Sequence, residues 1–92
     1  MYGTVRVYES QDLADRLVEH ESDVRSLLSA IDGFKAYYLI KTAAGAASVS
    51  LYETEAGATE STTAAAGWIK ANLSDYSGAA PQVSAGEVVI HF

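Results

Sequence analysis

Three stretches of the chain predict β-strands from the order of their apolar and polar residues. Residues 2–8, YGTVRVY, and residues 47–53, ASVSLYE, alternate between the two kinds, as strands with two unlike faces do. Residues 34–41, FKAYYLIK, carry apolar or aromatic side chains on both alternating sets, which predicts a strand covered on both faces. A fourth strand is predicted over residues 83–92, VSAGEVVIHF.

The segment after the first strand has a helical period. Apolar or half-polar residues recur every three or four positions, at Leu13, Leu17, His20, Val24, Leu27 and Ile31. This stripe predicts one helix over residues 11–32, with a bend near residues 21–23. Ser10 is suited to the N-cap, and Gly33 to a left-handed residue after the helix.

A second helix is predicted over residues 55–73, EAGATESTTAAAGWIKANL, with Thr59 or Ser61 as its cap. Gly45 predicts the turn of a hairpin between the second and third strands, and residues 74–82 predict a loop. The element order is therefore β-α-β-β-α-β within a single domain, residues 1–92. We expect an α+β, ferredoxin-like fold, with a four-stranded antiparallel sheet and both helices on one face.

Two helices cover only one face of such a sheet, so the other face needs an explanation. The set expected under the helices is apolar: Val5, Val7, Ala36, Tyr38, Ile40, Val49 and Leu51. The set expected on the other face is largely aromatic: Tyr2, Tyr8, Tyr37, Leu39 and Tyr52. This second set predicts a face buried in a two-fold homodimer and rimmed by Arg6, Lys35 and Lys41, the alternative being a tyrosine-rich face in water.

Two segments resemble a known family. AIDGFKAYYLIKTAAGAASVSLYET resembles the strand and following hairpin of the dimeric α+β barrel proteins, particularly the antibiotic-biosynthesis-monooxygenase-like (ABM) domains. ESTTAAAGWIKANL is similar to their second helix with its tryptophan. The resemblance implies that the sheets of two copies pair to form a barrel with the helices outside.

The composition of the chain argues against two classes of binding partner. With a net charge of −6 and only six Lys and Arg, the chain lacks the basic patch that nucleic acid or an anionic membrane requires. No apolar run approaches the length of a membrane span. The absence of cysteine excludes thiolate chemistry and, with no leader visible, favours a cytoplasmic location.

Three residues are candidates for a ligand pocket: Trp68, His20 and Tyr38. The resemblance implies that a helix-two tryptophan lines a pocket between helices and sheet, and small residues around Trp68 leave room for one. His20 is a candidate base and Tyr38 a candidate hydrogen-bond donor to a substrate anion. Each residue has a plainer interpretation as an ordinary packing residue.

Two functions stay open at this point. The first is a homodimer that binds a small aromatic or lipophilic molecule, as a monooxygenase that needs no cofactor. The second is a non-catalytic accessory or ligand-sensing protein of the same fold. Haem degradation is disfavoured, because strand one lacks the asparagine of the haem-degrading relatives and Gly78 stands where they carry a histidine. No metal site is predicted.

Overall fold

The structure, a computed structural model, describes residues 1–76, 78 and 80–92. Its elements are β1 (Tyr2–Tyr8), α1 (Gln11–Glu19), α2 (Glu21–Ser29), β2 (Phe34–Lys41), β3 (Ala46–Tyr52), α3 (Glu55–Asn72) and β4 (Gln82–Glu87). The predicted loop over residues 74–82 includes Ser77 and Ala79, which lie outside the described residues.

The four strands form one sheet in the order β2-β3-β1-β4, and every neighbouring pair is antiparallel. Val5 lies opposite Val49 on one side and Ser84 on the other. The architecture is the predicted ferredoxin-like α+β fold. The last strand is shorter than predicted: β4 ends at Glu87, and the next residue, Val88, donates its backbone N–H to the Met1 carbonyl at 2.9 Å.

The predicted first helix is two helices. His20, between α1 and α2, has φ −109° and ψ 28°, outside the helical region. An unbroken helix over residues 11–32 would be roughly 33 Å long, whereas an eight-residue strand spans roughly 26 Å. The break therefore allows both segments to lie over the sheet, where Leu13 and Leu28 are buried.

Caps and turns follow the local sequence. The Ser10 hydroxyl accepts the Leu13 N–H at 3.2 Å, as predicted for the N-cap of α1. Gly33 has φ +83°, the left-handed conformation that glycine tolerates best. The Gly45 turn confirms the hairpin, with reciprocal backbone hydrogen bonds between Gly45 and Thr42. A Cβ at Gly45 would collide with the Tyr8 carbonyl.

The cap of α3 differs from the prediction. Thr54, rather than Thr59 or Ser61, is the N-cap, and its hydroxyl accepts the Gly57 N–H at 3.2 Å. Thr59 and Ser61 lie inside the first turns of the helix. The earlier start places Gly57, Ala58 and Ser61 against the sheet, where all three are buried.

The two faces of the sheet are the reverse of the expectation. The face packed against the helices, here the covered face, comprises Tyr2, Thr4, Arg6, Tyr8, Tyr37, Leu39, Ser48, Ser50 and Tyr52. The other, the open face, comprises Val5, Val7, Ala36, Tyr38, Ile40, Val49 and Leu51. Tyr8 and Tyr52 are buried, whereas Val7 is 43% and Tyr38 58% exposed.

Packing explains this reversal. The ring of Tyr52 lies edge-on to Phe34, 5.7 Å between centroids, and its hydroxyl donates to the Leu28 carbonyl at 2.9 Å. Tyr8 joins the apolar cluster of Leu13 and Leu17. The tyrosines thus bury large rings under the helices, and the Tyr52 hydroxyl hydrogen-bonds to the Leu28 carbonyl. Valines at these positions could do neither.

Candidate functional site

Arg6 stands at the centre of the covered face and is 1% exposed. It lies in the middle of β1, which pairs with β3 on one side and β4 on the other, and α3 packs over this strand. Arg6 was predicted at the rim of a dimer face, and that placement is wrong. Fully buried arginines are rare unless they are paired with an opposite charge, so we take Arg6 as the centre of the candidate functional site.

The guanidinium group is held by hydroxyl groups. Its Nε donates to Ser48 Oγ at 3.1 Å and Nη2 to Ser50 Oγ at 2.8 Å. Nη1 donates to Thr62 Oγ1 at 3.2 Å and to Ser61 Oγ at 3.5 Å. Two serines from β3 and two residues from α3 therefore fix the orientation of the planar group. We call these five residues the Arg6 cluster.

The cluster contains no counter-charge. Within residues 1–76, 78 and 80–92, five ion pairs of Lys or Arg with carboxylates form, and none of them involves Arg6. Arginine stays protonated in proteins, so the cluster carries a full positive charge. Burial of an ion without an opposite charge is costly even when neutral hydrogen-bond partners are present. The site is therefore electrostatically suited to an anion.

Two tyrosines flank Arg6 on the covered face. Burial raises the pKa of the Tyr8 and Tyr37 hydroxyls, and the nearby Arg6 charge opposes that rise in both. With their pKa values above the ordinary value for tyrosine, both hydroxyls are protonated at neutral pH. They serve as neutral donors and not as bases.

A groove of about 550 Å³ runs between the α1–α2 segment and β2. Its wall is mainly apolar, formed by Leu17, Val24, Leu28, Phe34, Tyr37 and Leu39. Glu21 and Arg25 also line it, and they pair with each other at 3.0 Å. Volume and composition are those of a small-molecule site.

A second, inner cavity of about 20 Å³ lies between the groove and Arg6. Four residues line both spaces: Leu17, Val24, Leu28 and Tyr37. Arg6, Tyr8 and Trp68 line only the inner cavity. The groove therefore adjoins the inner cavity at these four side chains, and Arg6 lines the cavity but not the groove.

Trp68 and His20 lie together beside this cavity. Their rings make an edge-to-face contact with centroids 5.3 Å apart, which links α3 to the junction of α1 and α2. His20 is 39% exposed at its side chain, and its Nδ1 is 3.7 Å from Asp23 Oδ2. Trp68 lines the inner cavity, whereas His20 lines neither space. Their roles toward a ligand stay predictions.

Tyr38 is far from these residues. It lies on the open face and lines a different depression, of about 500 Å³, with Leu51 and His91. Its expected position under the helices is wrong because the alternation of β2 is in the opposite phase. The same reversal places Tyr8, Tyr37, Leu39 and Tyr52 under the helices and away from the open face, while Tyr2 is half-buried on the covered face.

Sequence reasoning missed the Arg6 cluster, although a signal was present. Thr4 and Arg6 share one alternating set in β1, and Ser48 and Ser50 share the facing set in β3. A cation next to small hydroxyl residues across two paired strands indicates a polar site on that face. We expected this face to be an aromatic dimer surface and therefore did not predict a buried polar site on it.

Other kinds of site are not found in the described part of the chain. No three His, Cys, Asp or Glu residues come together as a metal site there. None of the helices there combines the length and the apolar character that crossing a membrane requires.

No model of a known protein family matches the sequence, and no curated protein is significantly similar to it. Solved structures do match. A dimeric ferredoxin-like protein from an uncultured marine organism superposes with a TM-score of 0.68 at 17% identity, over 99% of this chain and 94% of that one.

Two further structures have known activities. The haem degrader MhuD from Mycobacterium tuberculosis, with two haems in its active site, gives a TM-score of 0.68 at 15% identity, covering 100% of this chain and 99% of that one. The ActVA-Orf6 monooxygenase of Streptomyces coelicolor, in complex with nanaomycin D, gives a TM-score of 0.61 at 15% identity, covering 98% of this chain and 90% of that one.

The chain has the ferredoxin-like α+β fold of these solved structures. The element order, strand order and near-complete coverage agree on this, which confirms the resemblance read from the sequence at the level of fold. The same fold carries haem degradation, monooxygenation and proteins without an assigned activity, so function depends on the site.

Proposed function

We propose that this chain forms a homodimer through the open face and binds a small aromatic or lipophilic molecule in the groove. The observation that carries the binding proposal is the groove of about 550 Å³, whose apolar wall continues inward to the inner cavity. Fused aromatic ring systems match such a volume and lining.

The open face supports the dimer. Val5 and Val7 of β1 and Tyr38 and Ile40 of β2 are each at least 39% exposed, and Val49 of β3 lies in register between Val5 and Tyr38. Exposed apolar patches of this kind mark interaction surfaces. The similar marine protein is described as dimeric, and a second copy of this chain is the occupant we propose.

The groups around the inner cavity favour binding over acid–base catalysis. Arg6, Tyr8 and Tyr37 are all donors, and the one carboxylate lining the groove, Glu21, is paired with Arg25. A ligand-sensing or accessory role needs nothing more than this.

Cofactor-independent monooxygenation is the second candidate, favoured by the monooxygenase neighbour and by donors able to stabilise a phenolate. With 1-naphthol as probe, one oxygen atom of O₂ would enter the ring to give 1,4-naphthoquinone. The other atom would leave as water with the two displaced hydrogens. Mass spectrometry after incubation under ¹⁸O₂ tests this: one label in an enzyme-dependent quinone supports it, and a rate equal to the protein-free control contradicts it.

A thermal-shift screen with naphthols, quinones and haem tests binding. A ligand that binds only the folded protein at 100 times its Kd stabilises it by about 2.7 kcal/mol, so a clear rise in Tm is expected. No rise for any probe would contradict the proposal.

A matched pair of variants then locates the site. Ser29 lines the groove, whereas Ser26 is exposed on the same helix and does not line it. We expect Ser29→Trp to fill the groove and weaken binding at least tenfold, and Ser26→Trp to bind as the wild type does. Equal affinities for the two variants would place the ligand elsewhere.

A further inference from the structure

We propose that the ligand is a monoanion, such as an aromatic carboxylate, whose charged group binds Arg6 while its ring occupies the groove. This inference rests on the proposed groove site and adds to it the charge of the ligand and the residue that recognises it. It concerns a ligand-binding residue, not a catalytic step.

The first observation is the unmatched charge. Arg6 is 1% exposed, and its four hydrogen bonds among the described residues all go to neutral hydroxyl oxygens. Nη2 carries two hydrogens but has one partner there, Ser50 Oγ at 2.8 Å. One donor can therefore take a further acceptor.

The second observation is geometric. Arg6 lines the inner cavity, and the inner cavity shares Leu17, Val24, Leu28 and Tyr37 with the groove. A volume of about 20 Å³ holds no more than a water-sized group, so a ligand would have to displace these four side chains to reach the guanidinium. The ring of the same ligand would then stay in the apolar groove.

The charge balance selects a monoanion. One arginine faces the inner cavity, and its other lining residues are uncharged: Tyr8, Leu17, Val24, Leu27, Leu28, Tyr37, Ala65, Trp68 and Ile69. A carboxylate or an ionised acidic phenol would neutralise the single charge. A phosphate dianion would leave a negative charge buried without a partner, at a further desolvation cost.

The Tyr8 and Tyr37 hydroxyls also favour an anionic ligand over a neutral one. Burial raises their pKa values, so they remain protonated donors beside Arg6. An anion between them and the guanidinium would accept charge-assisted hydrogen bonds, which are stronger than bonds between neutral groups. A neutral ligand of the same shape would gain less from every one of these donors.

The test compares 2-naphthoate with 2-naphthamide, which share a ring system and differ in charge. Isothermal titration at pH 7 should give a Kd at least tenfold lower for the carboxylate with the wild-type protein. Arg6→Met should remove that preference. Arg16→Met is the matched control: it removes an arginine that lines neither the groove nor the inner cavity, and the preference should persist.

Arg6→Met could fail to fold, so a second measurement uses the wild-type protein. The chain has three arginines, Arg6, Arg16 and Arg25, whose Nε–Hε signals are resolvable by NMR. The Arg6 signal should shift on addition of 2-naphthoate and stay in place with 2-naphthamide.

The outcomes separate the two proposals. Equal Kd values for the two probes, with groove methyl signals of Leu17 and Leu28 shifting in both titrations, would overturn the anion inference and leave groove binding intact. A preference for 2-naphthoate that survives in Arg6→Met would overturn the role of Arg6. The failure of both probes to bind would contradict the groove site and the inference together.

Discussion

The two faces of this sheet carry apolar and polar residues in the reverse of the arrangement found in most half-covered sheets. The open face carries valine, isoleucine and leucine, whereas the covered face carries Arg6, Thr4 and two serines. A sheet with one wet side usually places its apolar set under the helices. Here the polar set is buried beside the tyrosine rings, and the apolar set is left exposed.

The two faces contribute to the stability of the chain in different ways. Under the helices, large side chains are anchored by specific contacts, such as Tyr52 with Leu28. On the open face, the apolar area contributes fully only when another surface covers it. Each face can therefore be tested separately.

The largest expected effect comes from a charge on the open face. Val5→Glu places a carboxylate at the centre of the proposed dimer surface, where Val5 is 39% exposed and opposite Val49. Burial of an unpaired charge is costly, so we expect a monomer of 9.7 kDa, half the mass of the dimer proposed for the wild type. Light scattering on a sizing column measures this.

Val18→Glu is the control for that substitution, because Val18 is 64% exposed on α1, on the helical side of the sheet. It should leave the mass unchanged. A wild-type protein that is already monomeric at micromolar concentration would contradict the assignment of the open face.

The next effect concerns the covered face. Tyr52→Phe removes the hydroxyl that donates to the Leu28 carbonyl and leaves that oxygen with the longer bond from the Ile31 N–H, at 3.4 Å. A loss of about 0.5–1.5 kcal/mol in the free energy of unfolding is expected, measured by urea denaturation. Tyr38→Phe, on the open face, should cost much less, and equal losses would mean that the two faces do not differ as described.

Alkaline pH should also act on the covered face. Burial raises the pKa of Tyr8, Tyr37 and Tyr52 in the folded chain above the value of about 10 in the unfolded one. Their contribution to stability is complete below pH 10, and is lost as the pH rises through the folded-state pKa values, because the unfolded chain releases these protons first.

Urea midpoints between pH 8 and pH 11.5, with tyrosinate absorbance recorded in parallel, measure this loss. The midpoint should begin to fall near pH 10, and Tyr37→Phe should reduce the fall. An unchanged midpoint across that range would contradict the burial of these hydroxyls.

The smallest effect compares two glycines of α3. A Cβ at Gly67 would meet no other atom within 4 Å, so Gly67→Ala should stabilise the helix by about 0.5–1 kcal/mol. At Gly57, a Cβ would lie 3.0 Å from the Asp32 carbonyl and from the Tyr52 ring. Gly57→Ala should therefore destabilise the protein by about 1–3 kcal/mol. Thermal unfolding measures both, and shifts of the same sign would contradict the close packing of α3.

Much of the local structure was determined by the sequence itself. The alternation in β1 and β3, the Ser10 cap and the turn at Gly45 depend on neighbouring residues, and all of them are found where predicted. Backbone hydrogen bonding and side-chain sterics within a few residues suffice for such features. The strand order follows from the split β-α-β arrangement.

The tertiary structure alone decided which face the helices cover. Alternation separates a strand into two sets of side chains but does not say which set meets the helices, because both sets contained large side chains. Whether Arg6 lies at a surface or under α3 depends on that same choice. The break at His20 was decided in the same way, by the length of the sheet that the two helices have to cover.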